Sequence, residues 1–394
     1  MTGRHRIATA LLLAPMAAFL VATLVIPVLL MVVESARDTE VAGALPKTLT
    51  VLEGWNVSEP IPDAAYAALA EDLKAAGAAR GKVATRLNLD MPGALSLLSG
   101  SFRALQEADG ADPKSVLVAQ DARWAKPDIW RAIHDARGPW TDRFLLAAID
   151  LKRDAQGEVK SVSGSLYRTI YLRTFTVAVL VTVICLLLGV PVSLYLASLP
   201  PQKAMPLLLV LMLPLWTSVL VRAMAWILLL QTNGLVNEIL LTLRIVSEPL
   251  RLVFNRTGVL IAMTHVLLPF MILPVYNAMR TVPRNQLRAA GSLGATPFTV
   301  FRRVYLPQCR SGIAAGCLLV FASASGYYIT PALVGGGSDQ MLGTYVELAA
   351  LRYSNQPLAA ALGVVFLIVF LVLIGVMALL LRPRAFAQGG QAHG

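Results

Sequence analysis

Apolar residues along this chain gather into six long runs, at 8–33, 174–199, 205–230, 258–279, 312–334 and 357–381. Each exceeds the roughly 20 residues that an apolar helix needs to cross a bilayer. Between the first two runs the pattern changes. Residues 34–165 hold 19 of the chain's 23 acids and four of its tryptophans, Trp55, Trp124, Trp130 and Trp140. Apolar positions recur there at helical spacing over 61–77, 92–108 and 127–136. The shorter runs 115–119 and 144–151 read equally as strands or helix ends, and Gly157 marks a turn. The pattern predicts an all-α membrane protein of six transmembrane helices, with a large water-soluble domain inserted between the first two. Residues 1–33 form the N-terminus and first span, 34–165 the inserted domain, 166–381 a core of five spans, and 382–394 a tail.

Composition agrees: the chain is 56% hydrophobic and only 14% charged, with mean hydropathy +0.65. A net charge of +11 in a soluble protein would point to nucleic acid. Here it is sorted by topology, and no nucleic-acid partner is expected. Outside the inserted domain the acids are Glu238, Glu248, Asp339 and Glu347, all in the joins after the third and fifth spans. The other joins and ends carry Arg4, Arg6, Lys203, Arg280, Arg284, Arg288, Arg302, Arg303, Arg310, Arg382 and Arg384, with no acid among them. Cytoplasmic loops carry the excess of Lys and Arg. Both termini and the join 287–307 are therefore expected in the cytoplasm and the inserted domain on the far side of the membrane. The first run has the basic front of a signal peptide, but its length favours a retained span.

Catalytic chemistry is hard to find. Cys185, Cys309 and Cys317 lie in or beside apolar runs without metal-ligand spacing. Residues 34–165 show no nucleophile–base arrangement, and the chain has no G-x-x-x-x-G-K-[ST] phosphate loop. An enzyme is not expected, nor a cofactor or metal bound by this chain.

The join 287–307 reads LRAAGSLGATPFTVFRRVYLP. Its small residues make one low face, Gly294 breaks the rod between two short helices, and Pro307 is expected to end the second. A small-faced helix with a basic rim suits insertion into a groove on a partner. The stretch resembles the Glu-Ala-Ala coupling loop of permease subunits in binding-protein-dependent ABC importers. The matching positions are Ala289, Ala290, Gly294, Leu306 and Pro307, with Val304 a near match and Ala295 beside the glycine. Arg288 stands where that family usually has Glu. The resemblance implies that the loop docks on a cytoplasmic ATPase subunit that uses ATP and Mg. It also implies a second homologous permease subunit and a periplasmic solute-binding protein.

Three further stretches, PLWTSVLVRAMAWILLLQTNGLVNEILL at 214–241, HVLLPFMILPVYNAM at 265–279 and GYYITPALVGGG at 326–337 followed by MLGTYV at 341–346, look like the spermidine/putrescine-type subfamily. The resemblance covers about 172–381 and leaves 34–165 outside, where docking of the binding protein is the expected role. Pro214, Pro269, Pro274 and Pro331 each remove a helix hydrogen bond, tolerated where neighbours or water serve the freed carbonyl. The polar and aromatic pathway candidates are Trp216, Thr217, Ser218, Arg222, Trp226, Tyr276, Asn277, Tyr327, Tyr328 and Thr330, with His265 beside them. Aromatic faces suit a cation. Against that, Arg222 is expected to snorkel or pair with Glu238 or Asp339, and Trp226 and the tyrosines suit an interfacial belt equally well. His265 suits an interhelical hydrogen bond, and Ser323, Ser325 and Gly326 a close helix-packing surface. Tyr327 takes the place of an acid common in polyamine-type members, which leaves an amino-acid derivative or opine-like solute open. A membrane-tethered sensor or assembly factor is the alternative outside transport. A proton-coupled transporter would want more ionisable residues inside its spans.

Overall fold

The computed structural model describes residues 14–108, 110–154, 157–162 and 164–381; Arg4, Arg6, Arg382, Arg384 and the expected tail lie outside them. The chain forms two compact units. One takes the chain up to Tyr167 together with Tyr345–Leu367, the other Arg168–Thr344 and the chain from Ile368 on.

In the first unit, helix α1 (Ala14–Ala36) is apolar and long enough to cross a bilayer. Its turn Val21–Val25 widens to π spacing ahead of Pro27, which absorbs the missing proline N–H. Helices α2 (Asp63–Ala75), α3 (Ala79–Leu87), α4 (Ala94–Glu107), α5 (Pro113–Gln120) and α6 (Pro127–Asp135) follow. The run at 115–119 is thus helical: the Asp112 carboxylate accepts from Ser115 N–H at 3.1 Å, and Pro113 occupies the first turn. The run at 144–151 divides between a short helix, Arg143–Ala147, and strand β1 (Leu151–Arg153). Strand β1 pairs antiparallel with β2 (Val159–Ser161). This hairpin departs from the all-α expectation, and Gly157 supplies its left-handed turn at φ 82°.

The core of this body is aromatic. Trp124 and Trp130 are fully buried and meet edge to face at 5.5 Å, and Tyr66 meets Trp130 at 4.8 Å. Each polar tip is satisfied. Tyr66 Oη and Trp130 Nε1 both donate to the Trp124 carbonyl, at 2.9 and 3.0 Å, and Trp124 Nε1 donates to Ser101 Oγ at 2.7 Å. Beside the core lies a buried ion cluster. Arg86 Nε donates to both Asp38 carboxylate oxygens, at 2.9 and 2.8 Å, and Nη1 donates to Asp90 at 2.7 Å. Asp90 also pairs with Arg143, which donates to Asp135 at 3.0 Å.

At the surface of this body, hydrogen bonds from Arg153 hold the Asp142 carboxyl below its usual range, those from Arg123 do the same for Asp121, and that from Lys47 for Glu71. A depressed carboxyl contributes stability that is complete above its unfolded value and is lost as pH falls through the folded one. The inserted body is therefore expected to keep its tryptophan environment from neutral pH to about pH 4, the ordinary carboxylate value, and to lose it below. Fluorescence followed through an acid titration checks this.

In the second unit five helices stand near one another: α7 (Leu166–Ser198, residues from Arg168 on), α8 (Pro201–Trp216), α9 (Val219–Leu230), α11 (Arg256–Thr281) and α14 (Arg310–Ser325), with α10 (Leu235–Thr242) after α9. Across the described residues five helical stretches are long and apolar enough to span a membrane; the pair Pro297–Gln308 and Arg310–Ser325, bent by 62°, passes the same test only when its two helices are counted together. The expected third span, 205–230, is interrupted. Thr217 and Ser218 are extended, with ψ of 149° and 141°, and separate α8 from α9. Hydropathy runs through this break because the residues on both sides stay apolar. The spanning stretch counted from Val219 instead continues through a turn at 231–234 into α10, to Thr242.

Helix α11 is the centre of the unit. Gly312 and Gly316 of α14 and Gly189 of α7 lie against it. A Cβ on Gly312 would meet the Pro274 carbonyl at 2.5 Å, and one on Gly316 would meet Met271 Sδ at 2.8 Å. The packing surface expected at Ser323, Ser325 and Gly326 is only partly so. Ser325 is buried and donates to Phe321 O at 2.7 Å, but Gly326 is exposed where α14 ends. Gly312→Leu is expected to cost about 3 kcal/mol, the upper range for overpacking, and to reduce the monodisperse protein recovered in detergent, as size-exclusion chromatography reads.

Candidate functional site

The loop after α11 is built by local rules. Val282 is extended ahead of Pro283, which opens α12 (Arg284–Ser292). That helix ends in a Schellman motif: Ala295 N–H donates to Ala290 O at 3.2 Å, Gly294 N–H to Gly291 O at 2.9 Å, and Gly294 sits at φ 85°. Thr296 then caps α13 (Pro297–Gln308), accepting from Thr299 N–H at 3.3 Å, with Pro297 in the first turn. Pro307 does not end this second helix. Its missing N–H is accommodated by a π turn at Phe301–Tyr305, the helix reaches Gln308, and the 62° bend to α14 follows at Cys309.

No residue from Pro283 to Gln308 is buried. Ala289 and Gly294 are exposed; Ala290, Ala295, Val304, Leu306 and Pro307 are half-buried. Arg288, Arg302 and Arg303 are exposed around them, and Tyr305 Oη ties the loop to Met279 O at 3.2 Å. Two residues that sequence reading passed over stand out: Leu293 is 89% exposed and Phe298 69%. They flank Gly294 at the tip of a polar loop, a signal visible in the sequence. Large apolar side chains are thus exposed beside a basic rim, on a loop fixed by its own hydrogen bonds.

The pathway candidates do not form one cluster. Trp226 of α9 and His265 of α11 meet edge to face at 5.4 Å, with Trp226 Nε1 donating to His265 Nδ1 at 3.4 Å. The short helix α15 (Ile329–Val334) joins them, since Val334 packs with Ala223 and Ala262 beneath Trp226. Thr330 of α15 is buried, Tyr327 is half-buried, and Tyr328 is exposed with its Cβ close against Gly343. Tyr276 stands elsewhere. Eleven residues along α11 from His265, it is buried with Leu196, Leu208 and Ile272, and its hydroxyl accepts from Arg280 at 2.9 Å; Asn277 beside it is exposed. Trp216, Thr217 and Ser218 lie at the break between α8 and α9, with Trp216 73% exposed.

Arg222 pairs with neither expected acid. Its Nη1 donates to the Pro214 carbonyl at 2.6 Å, and Thr217 Oγ1 donates to the same oxygen at 3.0 Å. In an unbroken helix that carbonyl would accept the Ser218 N–H. The break removes the bond, and Arg222 replaces it. Asp339 pairs instead with Arg256, at 3.4 Å.

Several helices long and apolar enough to span a membrane, a break within one unit and an exposed basic loop fit a membrane-embedded protein. Residues 166–386 match the family described as the inner membrane component of binding-protein-dependent transport systems. The chain belongs to this family, and it is a permease of an ABC importer. It is similar to the spermidine/putrescine transport system permease protein PotB of Escherichia coli (strain K12), 36% identical over 205 residues, 52% of this chain and 74% of that one. It is also similar to the inner membrane ABC transporter permease protein YdcU of the same organism, 36% identical over 210 residues, 50% of this chain and 66% of that one. A crystal structure of a bacterial ABC transporter involved in the import of the acidic polysaccharide alginate aligns with a TM-score of 0.48 at 16% identity, over 56% of this chain and 80% of that one. Residues 34–165 lie outside the family match.

Proposed function

We propose that this permease moves a polyamine, spermidine or putrescine, from the periplasm to the cytoplasm. The observation that carries this is the 36% identity to a spermidine/putrescine permease over 74% of that protein. The amino-acid derivative, opine and sensor readings have no comparable support. In the proposed orientation both termini and the 287–307 loop are cytoplasmic and the inserted body is periplasmic, as the sorting of arginines favours. ATP hydrolysis belongs to partner ATPase subunits, which seat Ala289, Ala290, Gly294 and Ala295 of the loop. Val304, Leu306 and Pro307 carry motion from the loop through the bend at Cys309 into α14. A second permease subunit completes the pathway, a binding protein delivers the solute, and the inserted body docks that protein.

Within the pathway, Trp226, Tyr327 and Tyr328 offer aromatic faces to an alkylammonium group. The break at Thr217–Ser218, held by Arg222, is the point at which α9 reorients. Labelled putrescine and spermidine uptake tests the proposal in cells lacking this chain, with and without its restoration. Uptake restored only by the intact chain supports it; unchanged uptake of both solutes removes the polyamine assignment.

A further inference from the structure

A cavity of about 930 Å³ lies between the coupling loop and the ends of two spans. Leu194 and Ser198 bring the end of α7 to it, and Met279 and Arg280 the end of α11. Its lining is largely apolar, but Arg280 and Arg284 line it and no acid does. Among the described residues neither arginine pairs with a carboxylate. Arg280 uses one N–H on the Tyr276 hydroxyl, at 2.9 Å. An apolar chamber with unneutralised guanidinium groups, level with the ends of membrane-spanning helices, has the two-part chemistry of a phospholipid site: acyl chain against the wall, phosphate against the arginines.

We infer that this cavity binds an anionic phospholipid, which wedges the coupling loop against α7 and α11. The inference rests on the chain being a membrane permease and not on its solute. Other occupants fit the charge and geometry less well. The chain's own ends, 1–13 and 382–394, carry arginines and no acid, so a basic cavity repels them. Of the loop residues proposed to seat the ATPase, Ala289, Ala290 and Gly294 lie off the cavity and Ala295 alone lines it, and the exposed tip residues Leu293 and Phe298 do not.

The test is native mass spectrometry of the purified transporter complex carrying this chain. It is exchanged into mixtures of phosphatidylglycerol and phosphatidylcholine, with and without the ATPase subunits. The complex is expected to retain phosphatidylglycerol in preference. Arg284→Gln, on an exposed side chain that folding does not need, is expected to weaken that retention about five-fold, the effect of one basic group near an anionic lipid. Gly291→Phe is expected to displace the lipid while leaving both arginines in place, because Gly291 lines the cavity and a Cβ there meets no atom within 4 Å. Equal retention of both lipids by the intact complex would overturn the inference. So would retention unchanged in both variants, loss of the lipid only when the ATPase is bound, or equal competition by soluble glycerol phosphate. Uptake plays no part in the readout, so failure of the polyamine assignment leaves this result standing.

Discussion

Gly294→Asp is expected to leave the chain inserted in the membrane and to reduce uptake at least ten-fold. Gly294 has φ 85° and is exposed, and a Cβ built on it meets nothing within 4 Å. The substitution therefore brings no clash. Its folding cost is the left-handed backbone alone, about 1 kcal/mol, and Asp tolerates that region better than most residues. The loop's shape is fixed by the Ala295 to Ala290 and Gly294 to Gly291 hydrogen bonds, which are backbone bonds and survive. What changes is the surface: a bulky carboxylate now stands between Leu293 and the basic rim of Arg288, Arg302 and Arg303. A partner groove shaped for a low, small face would have to bury that charge without a counterpart, at several kcal/mol. About 1.4 kcal/mol is already ten-fold in affinity. Membrane fractionation and co-purification of the ATPase subunits separate the outcomes. Chain present, ATPase lost and uptake lost is the expected result; normal uptake would remove the coupling assignment. Gly294→Asn, neutral and equally tolerant of positive φ, is expected to retain more function than the aspartate.

The parts of the fold that were legible in the sequence are those set by local rules. The Schellman turn at Gly294 needs only the residues from Ala290 to Ala295. The apolar runs declare themselves by length, and α2, α4 and α6 by spacing. The break at Thr217–Ser218 was hidden because hydropathy does not register backbone direction, and Pro214 alone fits a kink as well as a break. The role of Arg222 was hidden with it, since its partner is a backbone carbonyl rather than an acid. Small residues are abundant in α14, but only the rotation of the helix shows that Gly312 and Gly316, not Gly326, face α11. Pro307 by its type signals a helix end, but a π turn upstream absorbs its missing N–H and the helix runs one residue further. The pathway candidates share a residue type, and type alone does not reveal that Tyr276 sits in a different core from Trp226 and His265.

Arg86→Met is expected to destabilise the inserted body by about 3–5 kcal/mol, the range for removing one partner of a buried ion pair. The side chains of Arg86 and Asp38 are each 1% exposed, 48 residues apart in sequence. Burial by itself lowers the affinity of the Arg86 guanidinium for its proton, and the bonds to Asp38 and Asp90 more than restore it. Removing the cation leaves Asp38 buried without its counter-charge, and Asp90 keeps only Arg143. The loss is more than electrostatic, because Arg86 also lies over the Phe144 ring at 5.4 Å. It also falls at a junction: Asp38 N–H donates to Pro139 O at 2.9 Å and Thr141 N–H to Ala36 O at 2.7 Å, joining the end of α1 to the inserted body. Protease sensitivity of the body in right-side-out membranes, read against intact α1, is expected to rise in Arg86→Met. Asp38→Asn alone is expected to behave similarly, because it strands the arginine instead. The double variant Asp38→Leu/Arg86→Met, which buries apolar groups in place of charges, is expected to recover much of the loss. Recovery of that kind would show that the penalty in the single variants is the uncompensated charge; equal damage in the double would assign it to packing around Phe144.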